Sequence, residues 1–476
     1  MLCENFKHPK LLSFFEEISA IPRASYHEEK ISEYLVSFAE ARGLEYYCDS
    51  LGNVLINMSA SADRKDADPL LLQGHTDMVC EKNSGVQHDF SKDPLKLYVD
   101  SEGWLRAEGT TLGADNGVAV AVMLCLLDSP EKSHRALQCL FTVSEEVGLD
   151  GAKAFDYSRI YARKMVNMDS ADESLIIAGC AGGLRSSLKL PVDRKDTEGD
   201  RYKITVSGLF GGHSGEDINR GRANANKLMG RILDRIICDN KDARLISVLG
   251  GTKENAIPRE CVAEVLHPCG KSLNELCENI SKEIGSELCA DDRSFSLTVS
   301  KSDTDIAPMS KKSTDTVVFA MHTIANGVFE MNLHLSGVVE YSRNLGIVNT
   351  EEKYAELVLN SRSATESRID LSASEIDAYA RMLGGESTHF NRYPGWIYAE
   401  RSEIRDEYVS AYKRLFGAEP GIEVIHAGLE CGIIKELVPD MDIISCGPVV
   451  LNLHSPDEAL DLASFERFFD VINSII

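Results

Sequence analysis

Acidic and histidine side chains close a series of apolar runs in this sequence. LLLQGHTD leads to His75 and Asp77, LFTVSEE to Glu145 and Glu146, MVNMD to Asp169, and VVLNLHSPDE carries His454. TTLGADNG sets Asp115 in a glycine-flanked loop directly before the apolar stretch GVAVAVMLCLLD. Taken singly, each has an ordinary explanation: an Asp before a helix is an N-cap, and a Glu pair is a solvated strand exit. As a set, two histidines and three or four carboxylates without a cysteine make a mixed nitrogen and oxygen donor group. Such a group suits Zn2+, Co2+ or Mn2+. A carboxylate between two ions bridges them at roughly 3.5–4 Å and leaves room for a shared water.

Spacing suggests roles within the set. Side chains two apart on an extended segment point the same way, so Asp77 is placed to accept the spare ring N–H of His75. The adjacent Glu145 and Glu146 point in different directions. One can ligate a metal ion while the other stays free to take a proton from water. That division is what a hydrolase needs.

These residues, far apart in the chain, converge only if strands carry them to one edge. Ligands of open α/β sheets bind outside the carboxyl ends of the strands. Apolar residues at helical spacing predict a helix over 29–42, with Gly43 as its stop. Continuous apolar runs at 69–77, 136–146 and 164–170 predict strands covered on both faces, in a mostly parallel or mixed sheet. The run at 117–128 is too long and too Ala-rich for a strand and reads as a buried helix.

Near Gly182-Gly183 the pattern changes to alternating strands at 201–209 and 243–249, interleaved with amphipathic helices near 221–238 and 271–288. Strands at 294–300 and 353–360 and helices near 313–326 and 373–383 repeat the theme, as two copies of a small α/β unit would. The two-sided apolar pattern returns at 421–428 and 441–454, with YPGW (393–396) as the return point. The expectation is an α/β catalytic domain with a mixed sheet covered by helices, split into 1–186 and 391–476 by an inserted α+β lid domain over 187–390.

Composition narrows the partners. The chain has 476 residues, with 50 Lys and Arg against 75 Asp and Glu, a formal charge of −25. Nucleic acids and anionic membranes select clustered cations, so neither is expected as a partner. No apolar stretch is long enough to span a bilayer, and Glu16 and Glu17 interrupt the N-terminal apolar residues, so a cytoplasmic location is expected. The 13 cysteines include no C-x-x-C pair, and Cys125, Cys139 and Cys446 lie in apolar runs as buried thiols.

The ordered series HTD, TTLGADNG, SEEVG, NMDS, GGHSG and NLHSPDE resembles the di-zinc peptidases of the aminoacylase/carboxypeptidase clan. CAGG (180–183), NAIPRE (255–260) and HAGLECG (426–432) narrow the resemblance to the aminoacyl-histidine, or cytosolic non-specific, dipeptidases, and it runs from SYHEE (25–29) to the last His. It implies that His75 and His454 each bind one of two divalent ions, foremost Zn2+, with Co2+ or Mn2+ as alternatives. Asp115 would bridge them, with Glu146 completing one shell and Asp169 the other. Glu145 would be the general base and Asp77 the orienting partner of His75. His213, in a flexible turn of the insertion, would stabilise the oxyanion, while Asn255, Arg362 and His426 would bind the substrate backbone and its carboxylate. Lid closure would require hinge motion near 183–190 and 384–396. The implied activity is metal-dependent hydrolysis of Xaa-His and other dipeptides. A related aminoacylase or tripeptidase, and a non-catalytic metal- or peptide-binding protein, are the alternatives. A homodimer is the expected assembly, with the lid His acting within one chain or across to its partner.

Overall fold

The computed structural model describes residues 6–333 and 335–476. Its first compact unit runs to Cys180 and takes up Trp396–Val424 and Leu429–Ile476. At its centre, Leu70–His75 lies between Leu137–Thr142 and Lys164–Asn167, parallel to both. Asp442–Ser445 then adds parallel to Lys164–Asn167 and pairs antiparallel with Leu175–Cys180. Val54–Met58 and Glu45–Cys48 extend the far side antiparallel, giving a mixed sheet of eight strands. The apolar runs are continuous because both faces are covered: every residue of Leu70–His75 and Leu137–Thr142 is buried.

Helix Ala114–Leu127 is apolar all round, and each residue from Asn116 to Leu127 is buried. Such a helix has no solvent face and belongs inside a core. It packs with Pro9–Ser19 and Leu462–Ile475, whose Phe15 and Phe465 meet edge to face. Helix Glu29–Arg42 ends as its sequence predicts, with Gly43 in the left-handed conformation.

The second unit comprises Ala181–Gly395 and Ile425–Gly428. Its strands form one nine-stranded sheet whose register pairs are all antiparallel. Helices Ala225–Asp239, Gly270–Glu287, Lys311–Thr323 and Glu366–Leu383 contribute to its apolar core. Burial alternates along Arg201–Ser207, the signature of a strand with one covered face. The two expected copies of a small α/β unit are not separate: Ser296–Lys301, expected in the second, pairs with Arg201–Ser207 of the first, and Arg244–Gly250 pairs with Val339–Thr350. Residues 183–190 are ladder residues, bonded to Tyr354–Ser363 on one side and Glu386–Tyr393 on the other. The chain passes between the units at 180–181, 395–396, 424–425 and 428–429.

Cys125, Cys139 and Cys446 are buried thiols, and the described cysteines are all free; Cys3 lies outside the described residues. Among the described residues no helix is long and apolar enough to cross a membrane.

Gly74 marks where the central strand meets the buried helix. A Cβ there would lie 2.3 Å from Ala119 Cβ and 2.4 Å from Asn116 Oδ1. Gly74→Ala is expected to lower the unfolding free energy by about 1–3 kcal/mol, the usual cost of overpacking, measured by denaturant titration. An unchanged midpoint would show that the helix can yield.

Candidate active site and metal centre

The three parallel central strands deliver their ends to one side. His75 is the last residue of its strand, Glu145 and Glu146 follow Leu137–Thr142, and Asp169 follows Lys164–Asn167. Asp115 sits at the entry to the buried helix with non-helical backbone angles, across a cis bond to Asn116. His454 lies beyond Val450–Leu451 in a turn where both it and Asn452 have positive φ. Ser144 and Leu149, beside Glu145 and Glu146 in sequence, share that left-handed conformation. Non-glycine residues hold it only where surrounding contacts impose it, at about 1–3 kcal/mol each.

All five proposed ligand side chains converge. The Asp115 carboxylate divides between two imidazoles: Oδ1 is 2.9 Å from His75 Nε2, and Oδ2 is 3.1 Å from His454 Nε2. Asp169 Oδ1 lies 3.6 Å from His75 Nε2, and Glu146 Oε1 lies 3.2 Å from His454 Nε2. The result is two groups, His75–Asp169 and His454–Glu146, sharing Asp115. Zn2+ bonds of about 2.0–2.2 Å place tetrahedral donor atoms roughly 3.3 Å apart, close to these spacings. Donor atoms of His75, Asp115 and Glu146 all fall within 4.8 Å of one another. The buried Oε1 of Glu146 meets the His454 ring at 3.2 Å but makes no well-directed hydrogen bond, so a cation would satisfy it. Residues and spacing fit a pair of divalent ions.

Electrostatics report the same concentration of negative charge. Burial opposes the charged form of His75, but Asp169, Asp115 and Asp77 outweigh it and hold its pKa well above the ordinary value. Hydrogen bonding to Asp115 and Glu146 raises His454 to about 10. Burial and the neighbouring Asp115 push Asp169 up to about 6. Burial would raise Asp115 too, yet the two imidazoles hold it below the ordinary carboxylate range. Burial, with Asp169, Glu146 and Glu430 nearby, pushes Glu145 well up.

Asp77 does more than its spacing suggested. His75 Nδ1 lies 3.1 Å from the Asp77 backbone carbonyl and 3.3 Å from its Oδ1, so carbonyl and carboxylate share the ring. The fully buried carboxylate also accepts the N–H of Glu145 at 3.0 Å, that of Glu146 at 3.3 Å, and the Ser25 hydroxyl at 2.8 Å. Glu28 Oε1 accepts from the backbone and hydroxyl of Ser144 at 2.8 and 2.9 Å. Together Asp77 and Glu28 clamp the turn bearing Glu145. Glu430 is a further buried acid, accepting from Gln73 and Thr142 at 2.5 and 2.8 Å, and burial lifts it to about 7. Glu28 lies in SYHEE and Glu430 in HAGLECG, but no spacing rule singled them out.

In the second unit, Gly212–His213 pairs with Ala256–Ile257, and Asp217 accepts the His213 N–H at 2.8 Å. His213 thus ends a two-residue ladder, and the turn of the GGHSG motif follows it at 214–221. Its Nδ1 accepts the Glu216 N–H at 3.2 Å, which places the proton of the neutral ring on Nε2. Arg362 Nη2 stands 3.4 Å from that Nε2, so two donors face one spot, an arrangement an anion would satisfy. Burial and Arg362 lower the pKa of His213, keeping it neutral. Tyr393, read from the sequence only as part of the YPGW return point, orients Arg362 through its hydroxyl at 2.9 Å from Nη1. His426 Nε2 lies 2.7 Å from Ser342 Oγ, and burial with Arg362 lowers its pKa to about 3. Asn255 adjoins this group, its carbonyl accepting the Ser214 N–H at 2.9 Å.

Comparison with known proteins agrees with this architecture. Residues 71–476 match peptidase family M20/M25/M40, and the chain belongs to that family of peptide-hydrolysing enzymes. The cytosol non-specific dipeptidase of Escherichia coli (strain K12) is 37% identical over 470 residues, covering 98% of this chain and 96% of the relative. The crystal structure of aminoacylhistidine dipeptidase from Vibrio alginolyticus superposes with a TM-score of 0.91 at 34% identity, covering 99% of this chain and 96% of that one. A tripeptidase from Staphylococcus aureus shares the fold, with a TM-score of 0.56 at 16% identity over 99% of this chain and 98% of its own.

The shifts of His454 and Asp169 act in one direction on metal-free protein. A raised His pKa stabilises the fold below the unfolded value of about 6.5, and the gain is lost as pH rises through about 10. Asp169, raised to about 6, loses stability as it ionises between about pH 4 and 6. Chelator-treated protein is thus expected to melt at progressively lower temperature from about pH 6 to 9. Saturating Zn2+ should flatten or invert that slope, because ligands must be deprotonated to bind. A metal-free melting temperature rising over this range would contradict the account.

Proposed function

We propose that the chain is a metal-dependent dipeptidase that hydrolyses Xaa-His and other dipeptides in the cytoplasm. The single observation carrying this reading is the Asp115 carboxylate divided between His75 and His454, with Asp169 and Glu146 beside them. The names of the Escherichia coli and Vibrio alginolyticus relatives support dipeptides as substrates, and the former supports the cytoplasm. Zn2+ is the ion we assign, with Co2+ or Mn2+ able to replace it in the same donor set. A homodimer is the assembly we expect.

His75, Asp169, Asp115, Glu146 and His454 would hold two divalent ions. Bound there, the ions would polarise the scissile carbonyl and bring a water's pKa towards neutrality. Glu145 takes the proton from that water on a carboxylate oxygen and returns it to the departing amine. Asp77 fixes the Glu145 backbone during both transfers and holds the His75 ring through Nδ1. His213 offers its Nε2–H to developing negative charge, and Arg362, steadied by Tyr393, offers its guanidinium to the free carboxylate of the substrate. Asn255 and His426 are assigned to the substrate backbone. Capture of the substrate's free carboxylate by Arg362 would favour short peptides that carry one.

Glu145→Ala is expected to lower kcat on Xaa-His dipeptides by roughly 10²–10⁴-fold while metal content stays at two ions, read by elemental analysis. Near wild-type turnover with metal bound would remove Glu145 as the base. Arg362→Ala is expected to raise KM for dipeptides by tenfold or more, the order of a lost charged hydrogen bond. A panel of dipeptides, tripeptides and acetyl-amino acids reads the substrate class directly. Faster cleavage of tripeptides or acetyl-amino acids would overturn the dipeptide assignment.

A further inference from the structure

Two charged side chains, each 2% exposed, belong to none of the donor groups above yet hold the backbone that carries them: Arg23 and Glu458. Glu458 lies four residues beyond His454 and directs both carboxylate oxygens at one loop. Its Oε2 accepts the N–H groups of Leu112 at 2.8 Å and Gly113 at 2.9 Å; its Oε1 accepts those of Ala114 at 2.8 Å and Asp115 at 3.3 Å. From the other side, Arg23 Nη2 donates to the Gly113 carbonyl at 2.5 Å. Its Nη1 donates to the carbonyls of Thr76 and Asp77 at 3.0 and 3.3 Å.

The glycines of TTLGADNG make room for this arrangement. A Cβ at Gly113 would lie 2.5 Å from Arg23 Nη2, and one at Gly117 would lie 2.9 Å from it. Gly113 also has φ of 67°, which other residues adopt at a penalty. The motif is thus a seat for a guanidinium as well as the carrier of Asp115.

We infer that Arg23 and Glu458 are positioning residues that lock the Asp115 loop to the segments bearing His75 and His454, and so set the affinity of the metal centre. The inference rests on the metal-dependent reading above. Three segments, 75–77, 112–115 and 454–458, are tied to one another by this buried pair without help from a cation. Carboxylate bonds to several N–H groups are charge-assisted and stronger than neutral ones. Each charge compensates the other, since a lone buried charge is expensive. The donor atoms of His75, Asp115 and His454 are then held near their ligating positions beforehand. Loss of such outer supports weakens metal binding by roughly 10–100-fold in comparable sites.

The test uses the full-length protein, stripped of metal and titrated with Zn2+ against a chromophoric chelator, alongside Co2+ absorption spectra. Glu458→Gln removes the charge and turns one acceptor into a donor; Glu458→Asp keeps the charge but withdraws it by about one methylene from the loop. Asp292→Asn, in the second unit, is the control. Asp292 is also buried and accepts the Phe210 and Ala223 N–H groups, but lies outside the metal-binding unit.

We expect Zn2+ affinity to fall roughly 10–100-fold in Glu458→Gln and by a smaller factor in Glu458→Asp, with an altered Co2+ spectrum in both. Asp292→Asn should lose thermal stability with affinity and spectrum unchanged. If either folded Glu458 variant keeps wild-type affinity and spectrum, the positioning role is overturned. If neither variant folds by circular dichroism, the role is overturned too, because the pair then holds the fold rather than the site. Wild-type protein that binds no divalent ion would instead sink the metal-dependent reading itself.

Discussion

The first unit is organised around one shared carboxylate. Asp115 faces His75 with one oxygen and His454 with the other, and those histidines sit on segments that meet only through the fold. A carboxylate bridging two donor groups tolerates little displacement, because moving toward one imidazole moves it away from the other. The surrounding structure answers that demand. The helix behind Asp115 is wholly buried, the strand bearing His75 is covered on both faces, and the His454 turn holds a left-handed backbone.

Rigidity continues outward through hydrogen bonds to backbone rather than to ligand atoms. Asp77 and Glu28 take the N–H groups of Ser144, Glu145 and Glu146, which fixes the turn bearing the two glutamates. Glu430 fills the layer behind it with Thr142 and Gln73. In the second unit, Tyr393 performs a comparable service for Arg362. Its ring also explains two glycines: a Cβ at Gly183 or Gly428 would lie within 2.6 Å of it.

Much of this was legible in the chain. Uninterrupted apolar runs signalled two-sided strands, the Ala-rich run signalled a buried helix, and polar residues at their ends marked the converging edge. Local pattern served less well in the second unit. Alternation found four of its strands, near 201–209, 243–249, 294–300 and 353–360, but not Cys261–Leu266, Val339–Thr350 or Glu386–Tyr393, nor their joining into one sheet, because pairing between Arg244–Gly250 and Val339–Thr350 depends on contacts a hundred residues apart. It also suggested a loose turn at His213, where two residues of Ala256–Ile257 complete a short ladder. Supporting residues such as Glu28, Glu458 and Tyr393 stayed hidden for a related reason. Glu28 and Glu458 act on peptide groups, which every residue possesses, and Tyr393 on a side chain distant in the sequence, so no local spacing announces them.

The position of Asp442–Ser445 has a consequence for the order in which the molecule is made. That strand sits between Lys164–Asn167 and Leu175–Cys180, both synthesised far earlier. About 260 residues separate it from Cys180, which at 5–20 residues per second is a delay of roughly 13–50 s. Until it is made the first unit lacks an inner strand and the turn of His454, although the second unit precedes it in the chain. A chain still in synthesis therefore carries every acidic group of the centre but only one of its two histidines. The donor set of two histidines is complete only once residue 454 has been made.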